Sequence, residues 1–153
     1  MIRKIFFALA IFGIQASAYA GQKFSCGDAE VRVDIVSRNS ASWELRAEAV
    51  ISVTANEVST VLRYWGNTDF IGAACVMDST LAPKVVYQAF CGGSGCRDLD
   101  NWGIIDPKSL RVLLVPSDTN RTEAMRLLGK PLPELPEKLN LYVEAKRLGI
   151  DVP

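Results

Sequence analysis

The hexapeptide Cys91-Gly92-Gly93-Ser94-Gly95-Cys96, with Asp98 and Asp100 just beyond it, holds the residues of this chain whose types and spacing could carry chemistry. Three glycines leave the backbone amides between the two cysteines unshielded, and amides in turn geometry can hold an anion or a carbonyl oxygen. If the cysteines pair, the closed loop loses less conformational entropy on docking than an open one. A stapled hairpin end, in which glycines simply satisfy the turn, explains the same residues. The two carboxylates raise the possibility of a glycosidase-type hydrolase, in which one carboxyl group protonates the leaving oxygen and the other acts as nucleophile or base. Acidic residues on a loop are, however, more often solvated than catalytic.

The chain contains no histidine. That removes the side chain that titrates near neutrality and the commonest metal ligand, and with it Ser-His-Asp, Cys-His and ordinary zinc catalysis. Ser94 is followed two residues later by Cys96, where a nucleophile elbow requires glycine. Lys23, Lys84 and Lys108 have no serine at Ser-x-x-Lys spacing. The expectation is a chain with no catalytic residues, no bound metal and no cofactor.

Cysteines stand at positions 26, 75, 91 and 96. An even number in an exported chain reads as a disulfide framework, here with three possible pairings. The flexible Gly92–Gly95 segment favours Cys91 with Cys96, which leaves Cys26 with Cys75. The second bridge would close a long loop, worth roughly 3 to 5 kcal/mol in the chain-entropy model. A structural zinc site usually draws on two close ligand pairs, of which only one is present here, and a thioredoxin-type centre needs Cys-x-x-Cys, which is absent.

The closed Cys-x-x-x-x-Cys loop on a small exported domain resembles the stapled loop that some periplasmic lysozyme inhibitors insert into an active-site cleft. The resemblance covers six residues, and the histidine carried by the inhibitors' loop is absent here. It implies a function by analogy alone.

Residues 1–20 have the layout of a cleavable secretion signal. Arg3 and Lys4 form a basic start, Ile5 to Ile14 an apolar run, and Ala18-Tyr19-Ala20 a small-residue cleavage site. The run is shorter than the ~20 residues a membrane-spanning helix needs. Cysteine is not the first residue after Ala20, so a lipid anchor is not expected. Residues 21–153 are long enough for one domain with a core. The whole chain carries 17 basic and 17 acidic residues, interspersed in sign; nucleic acid, which needs a clustered basic surface, is an unlikely partner. The expected location is the periplasm, with no stable membrane insertion after cleavage.

The elements that must position these residues follow from periodicity. Val31, Val33 and Ile35 alternate with Arg32 and Asp34, and Leu45 to Ile51 alternates likewise within Trp43 to Val53, so both read as half-buried strands. Val58–Trp65, Phe70–Met77 and Val85–Phe90 continue the meander. Residues 97–107 read as a packed loop. Leu110–Val115 is apolar but for Arg111, as expected of a core strand buried on both faces. A helix is expected from Asn120, with Glu123 in a capping box, to Gly129. Asn120-Arg121-Thr122 also matches a glycosylation acceptor, for which capping is sufficient explanation. A second helix is expected from Pro136 to Gly149, with Leu139, Tyr142, Val143 and Leu148 on one side. The expected fold is α+β: a largely antiparallel sheet of about six short strands, then two helices, stapled by disulfides.

Trp43, Trp65 and Trp102 default to core. Neighbours in a strand face opposite ways, so one of Tyr64 and Trp65 must leave the core face. The expected function is that of an exported binding protein of the inhibitor or immunity kind, which blocks another protein through Gly92, Gly93, Ser94, Gly95, Arg97 and Trp65. An envelope assembly or accessory protein is the alternative, and a carboxylate-dependent hydrolase using Asp98 and Asp100 the second.

Overall fold

Strict alternation builds the first of two antiparallel sheets. A computed structural model describes residues 21–39, 46–93 and 101–151. Strands β1 (Gly21–Cys26), β2 (Ala29–Ser37), β3 (Ala47–Ala55) and β4 (Val58–Tyr64) pair in chain order. Val31, Val33 and Ile35 of β2 and Ala47, Ala49, Ile51 and Val53 of β3 are buried on one face. Glu30, Arg32 and Asp34 occupy the other, as period-two side chains must. The β3–β4 turn has positive φ at both Asn56 (49°) and Glu57 (65°), the mirror-image turn geometry that matches strand twist in two-residue hairpins.

Residues 65–69 carry the chain into the second sheet. Its spatial order is β8 (Arg111–Leu114), β7 (Trp102–Asp106), β6 (Pro83–Phe90), β5 (Phe70–Met77) and β9 (Leu139–Asn140). The buried faces of the two sheets share one core, in which Val33 and Ile51 join Ile71, Val85, Tyr87 and Ile105. The Cys26–Cys75 disulfide ties β1 to β5 across it. So does the buried Gln22, whose Oε1 accepts from the Ala73 amide and whose Nε2 donates to the Glu137 carbonyl, both at 3.0 Å.

Helix α1 (Arg121–Leu128) covers the outer face of the second sheet. There Ala124 and Leu128 pack with Val86, Trp102, Ile104 and Leu135 in a second core. Its C-cap, Gly129, has φ 64° and stands so close to Ser79 that a Cβ would come within 2.1 Å of the Ser79 hydroxyl oxygen. Helix α2 (Leu141–Arg147) buries Leu141 and Ala145 against the shared core. Among the described residues no helix is long and apolar enough to cross a membrane.

The α+β organisation, the antiparallel pairing, the two late helices and the Cys26–Cys75 staple match expectation, with nine strands in two sheets among the described residues where about six in one were expected. Four local expectations are corrected. Residues 102–106 form a buried strand rather than part of a packed loop. The run 110–115 supplies the edge strand β8, partly exposed along its length, with Val115 outside it and 56% exposed. Asn120 caps α1 by position but makes no side-chain capping bond, and Glu123 pairs with Arg126 instead. The second helix starts at Leu141, where Asn140 Oδ1 accepts from the Val143 amide; Tyr142 and Val143 face outward.

Candidate functional site

Hairpin connectivity sorts the loops into two ends. Within each sheet neighbouring strands are antiparallel, and the Cys26–Cys75 disulfide together with one cavity lined by Gly27, Asn56, Ala82 and Pro107 aligns the two sheets, so β2, β4, β6 and β8 run one way and β1, β3, β5 and β7 the other. The turns after β1, β3, β5 and β7 therefore share one end. The C-terminal ends of β2, β4 and β6, carrying Arg38, Trp65 and Cys91-Gly92-Gly93, share the opposite end with the start of β7.

The root of the cysteine loop is built by the β4–β5 connection. Asp69 donates its amide to the Phe90 carbonyl at 2.9 Å, and its Oδ2 accepts from the Gly92 amide at 2.7 Å. Its carbonyl accepts from the Leu141 amide at 2.8 Å, so the same residue also holds the start of α2. Phe70 and Phe90 stack beneath, with centroids 5.3 Å apart and planes 20° from parallel. A Cβ on Gly92 would come within 2.4 Å of the Phe70 ring, so a side chain there would force the ring to move. Cys91 is disulfide-bonded. Its expected partner Cys96, together with Ser94, Gly95, Arg97, Asp98 and Asp100, lies outside the described residues.

Trp65 is half exposed, with the Arg38 guanidinium 5.1 Å from its ring centre. Such stacking covers the aromatic face while leaving the charge in water. Tyr64 turns the other way, as alternation requires. Its hydroxyl shares a 2.8 Å hydrogen bond with that of the fully buried Tyr87. Burial raises the Tyr87 phenol far above its ordinary value, and the neighbouring Tyr64 raises it further. Burial likewise raises Tyr64, opposed by the bond from Tyr87. Both phenols are therefore neutral at physiological pH.

At the far end, Asp78 and Asp106 are occupied in closing turns. Asp78 Oδ1 accepts from the Thr80 hydroxyl and from the Thr80 and Ala82 amides, while Lys84 Nζ stands 3.2 Å from Oδ2. These bonds, the Thr80 hydroxyl foremost, hold the carboxyl well below its usual range. Burial raises Asp106, but bonds donated by the Lys108 amide and the Ser109 hydroxyl outweigh it and lower the carboxyl. Among the described residues no three acidic or cysteine side chains cluster as metal ligands do.

Of the residues singled out in the sequence, the structure brings Gly92, Gly93 and Trp65 to one end. Asp69, which holds Gly92, had no local signal of that role in the sequence, because the bond spans 23 positions. No protein-family model, curated protein or solved structure matches the chain.

Proposed function

We propose that the protein is an exported, periplasmic binding protein of the inhibitor or immunity kind, which engages another protein through the end of the sandwich that carries Cys91-Gly92-Gly93 and Trp65. The observation that supports this reading most is the Asp69–Gly92 hydrogen bond. It holds the root of a disulfide-bonded, glycine-rich loop before any partner arrives, so less ordering entropy opposes association. The exposed Trp65 supplies an aromatic anchor of the kind that dominates protein interfaces.

The half-exposed Trp65 and the edge strand β4 beside it, which pairs with β3 alone among the described residues, favour a second reading. In it the first sheet docks by this edge onto a larger envelope assembly.

Capture from a periplasmic extract with wild-type bait, with a Gly92–Gly95 bulky-loop variant and with Trp65→Ala, followed by reconstitution with the purified captured protein, tests both. The first reading requires a one-to-one complex lost in the loop variant. A complex lost only with Trp65→Ala establishes the second reading, and retention by both variants rejects both.

A further inference from the structure

Four strands form the edges of the two sheets among the described residues: β1 and β4 of the first, β8 and β9 of the second. Short length, broken register, charge and cover are the devices that keep a strand edge from pairing with another chain. β9 has two residues. β8 has four, carries the exposed Arg111 and shifts register against β7. β1 carries Lys23 and is tied to β5 by the Cys26–Cys75 disulfide and the Gln22 side chain. β4 differs from all three. Its seven residues stay in unbroken register with β3 and include neither proline nor lysine, and its one charge, Arg63, is paired with Glu48 of β3. Val58 is 61% and Val61 46% exposed along it, and Trp65 follows at its end, half exposed.

The Asn56-Glu57 turn decides which backbone groups of β4 face outward. It closes on the Ala55–Val58 pair. The closing residues of a two-residue hairpin exchange hydrogen bonds, and bonded pairs alternate from there, so Val58, Thr60, Leu62 and Tyr64 aim their N–H and C=O groups at β3. Ser59, Val61 and Arg63 aim theirs out of the sheet. A two-fold axis through Val61 lays a second β4 antiparallel against them, with Val61 opposite Val61 and Ser59 opposite Arg63. The side chains then meet in a complementary order. Glu57, which is exposed, falls beside Trp65 of the other copy and diagonal to its Arg63, with the Arg38 guanidinium over that same indole. The two Arg63 side chains stand four residues apart along the strands, roughly 14 Å, beyond the screening length at physiological salt. Any extended chain can use the outward backbone groups; the order of charges on this edge is matched by its own reverse.

We propose that the protein forms a symmetric dimer in which β4 pairs with β4 of a second copy, extending the first sheet to eight strands. The proposal rests on the part of the second reading that makes β4 a docking edge, and it names the occupant as a copy of this chain. Such an interface is isologous, so one substitution acts twice.

Sedimentation equilibrium of the purified protein between about 1 μM and 1 mM, the span over which a weak dimer dissociates, tests it. The expected result is a reversible monomer–dimer equilibrium. Val61→Lys sets two like charges directly opposite each other at the axis and is expected to weaken the dimer about tenfold; Glu57→Gln, which removes two exposed charge contacts per dimer, is expected to weaken it about threefold. A urea midpoint near that of wild type separates loss of the dimer from loss of the fold. Amide exchange of the wild type needs no variant: Ser59, Val61 and Arg63 are expected to gain protection as concentration rises, while Thr60 and Leu62 are protected throughout. A monomer at every concentration overturns the proposal, as does a dimer that Val61→Lys leaves intact or whose added protection falls outside β4. Because the protein is measured alone, a monomer leaves the envelope-assembly reading standing, and that reading fails instead through capture with Trp65→Ala.

Discussion

Asn120 is bonded to both backbone groups of Trp102: its Oδ1 accepts from the Trp102 amide at 2.9 Å, and its Nδ2 donates to the Trp102 carbonyl at 2.6 Å. A further bond from Nδ2 reaches the Val115 carbonyl at 2.8 Å. The side chain closes the start of β7 as a neighbouring strand would, and it is 8% exposed. Asn120→Ala strands the buried amide and carbonyl of Trp102, and frees the part-buried Val115 carbonyl, so it is expected to destabilise the fold by about 2 to 4 kcal/mol, since each buried group left unpaired costs on the order of 1 to 3 kcal/mol. A urea midpoint unchanged from wild type would show that water replaces the bridge without loss.

The Cys26–Cys75 disulfide spans 49 positions and joins the first sheet to the second. Loop-closure entropy assigns such a bridge about 4 kcal/mol. Replacement of both cysteines by alanine is expected to lower thermal stability strongly, with the loss read as a shift in the unfolding midpoint under oxidising conditions. A shift of only a degree or two would mean that the shared core alone keeps the sheets together.

The Tyr64–Tyr87 pair predicts the sign of an alkaline transition. Both phenols are raised in the folded protein, chiefly by burial, whereas the unfolded chain releases their protons near pH 10. Above that pH the unfolded state binds fewer protons than the folded one, so stability falls as pH rises. Urea midpoints between pH 8 and about pH 11 are expected to drop in wild type and to drop less steeply in Tyr64→Phe/Tyr87→Phe. Parallel slopes for the two proteins would assign the transition to other groups.

Asp69→Ala removes the acceptor of the Gly92 amide. Hydrogen bonds to charged groups contribute about 1.5 to 3 kcal/mol, so hydrogen exchange at Gly92 is expected to speed up by roughly tenfold or more relative to amides of the β2–β3 ladder. Unchanged protection at Gly92 would show that the loop root is held by Cys91 and the Phe70–Phe90 stack instead.

Much of the fold was legible in the sequence. Val31, Val33 and Ile35 reached the core as their alternation requires, and β5 spans Phe70–Met77 as expected. The failures have particular causes. Residues 97–107 read as a loop because the stretch is irregular and polar around Trp102 and Ile104-Ile105 and ends in the Asp106-Pro107 turn signal; in the structure Gly103, where a Cβ would fall 2.1 Å from the Tyr87 ring, makes room for a cross-strand aromatic inside a buried strand. Apart from the exposed Arg111, Leu110–Val115 is apolar because β8 touches both cores: Val112 packs into one, and Leu113 and Leu114 into the other. Its place at the sheet edge leaves each contact half covered, which composition does not reveal. Asn120 looked like a helix cap because its bonds to Trp102 lie 18 positions away. At the candidate site, glycine content and the adjacent Tyr64-Trp65 pair were local signals, whereas the organising contacts of Asp69 are tertiary.

The separation of loops into two ends also decides how the protein can be handled. The two-residue turn at Asn56 and Glu57 lies at the end opposite Trp65 and Gly92, and both residues are solvent-exposed or nearly so. A biotin or fluorophore attached there, or an immobilising tether, presents the Trp65–Gly92 end to solution in a single orientation. Coupling through Lys138, whose ammonium stands 5.5 Å from the Phe90 ring centre, would instead place the tether near the root of the Gly92 loop. Surface-based measurements made with random amine coupling and with a turn-directed tether are therefore expected to differ in the fraction of protein competent to bind.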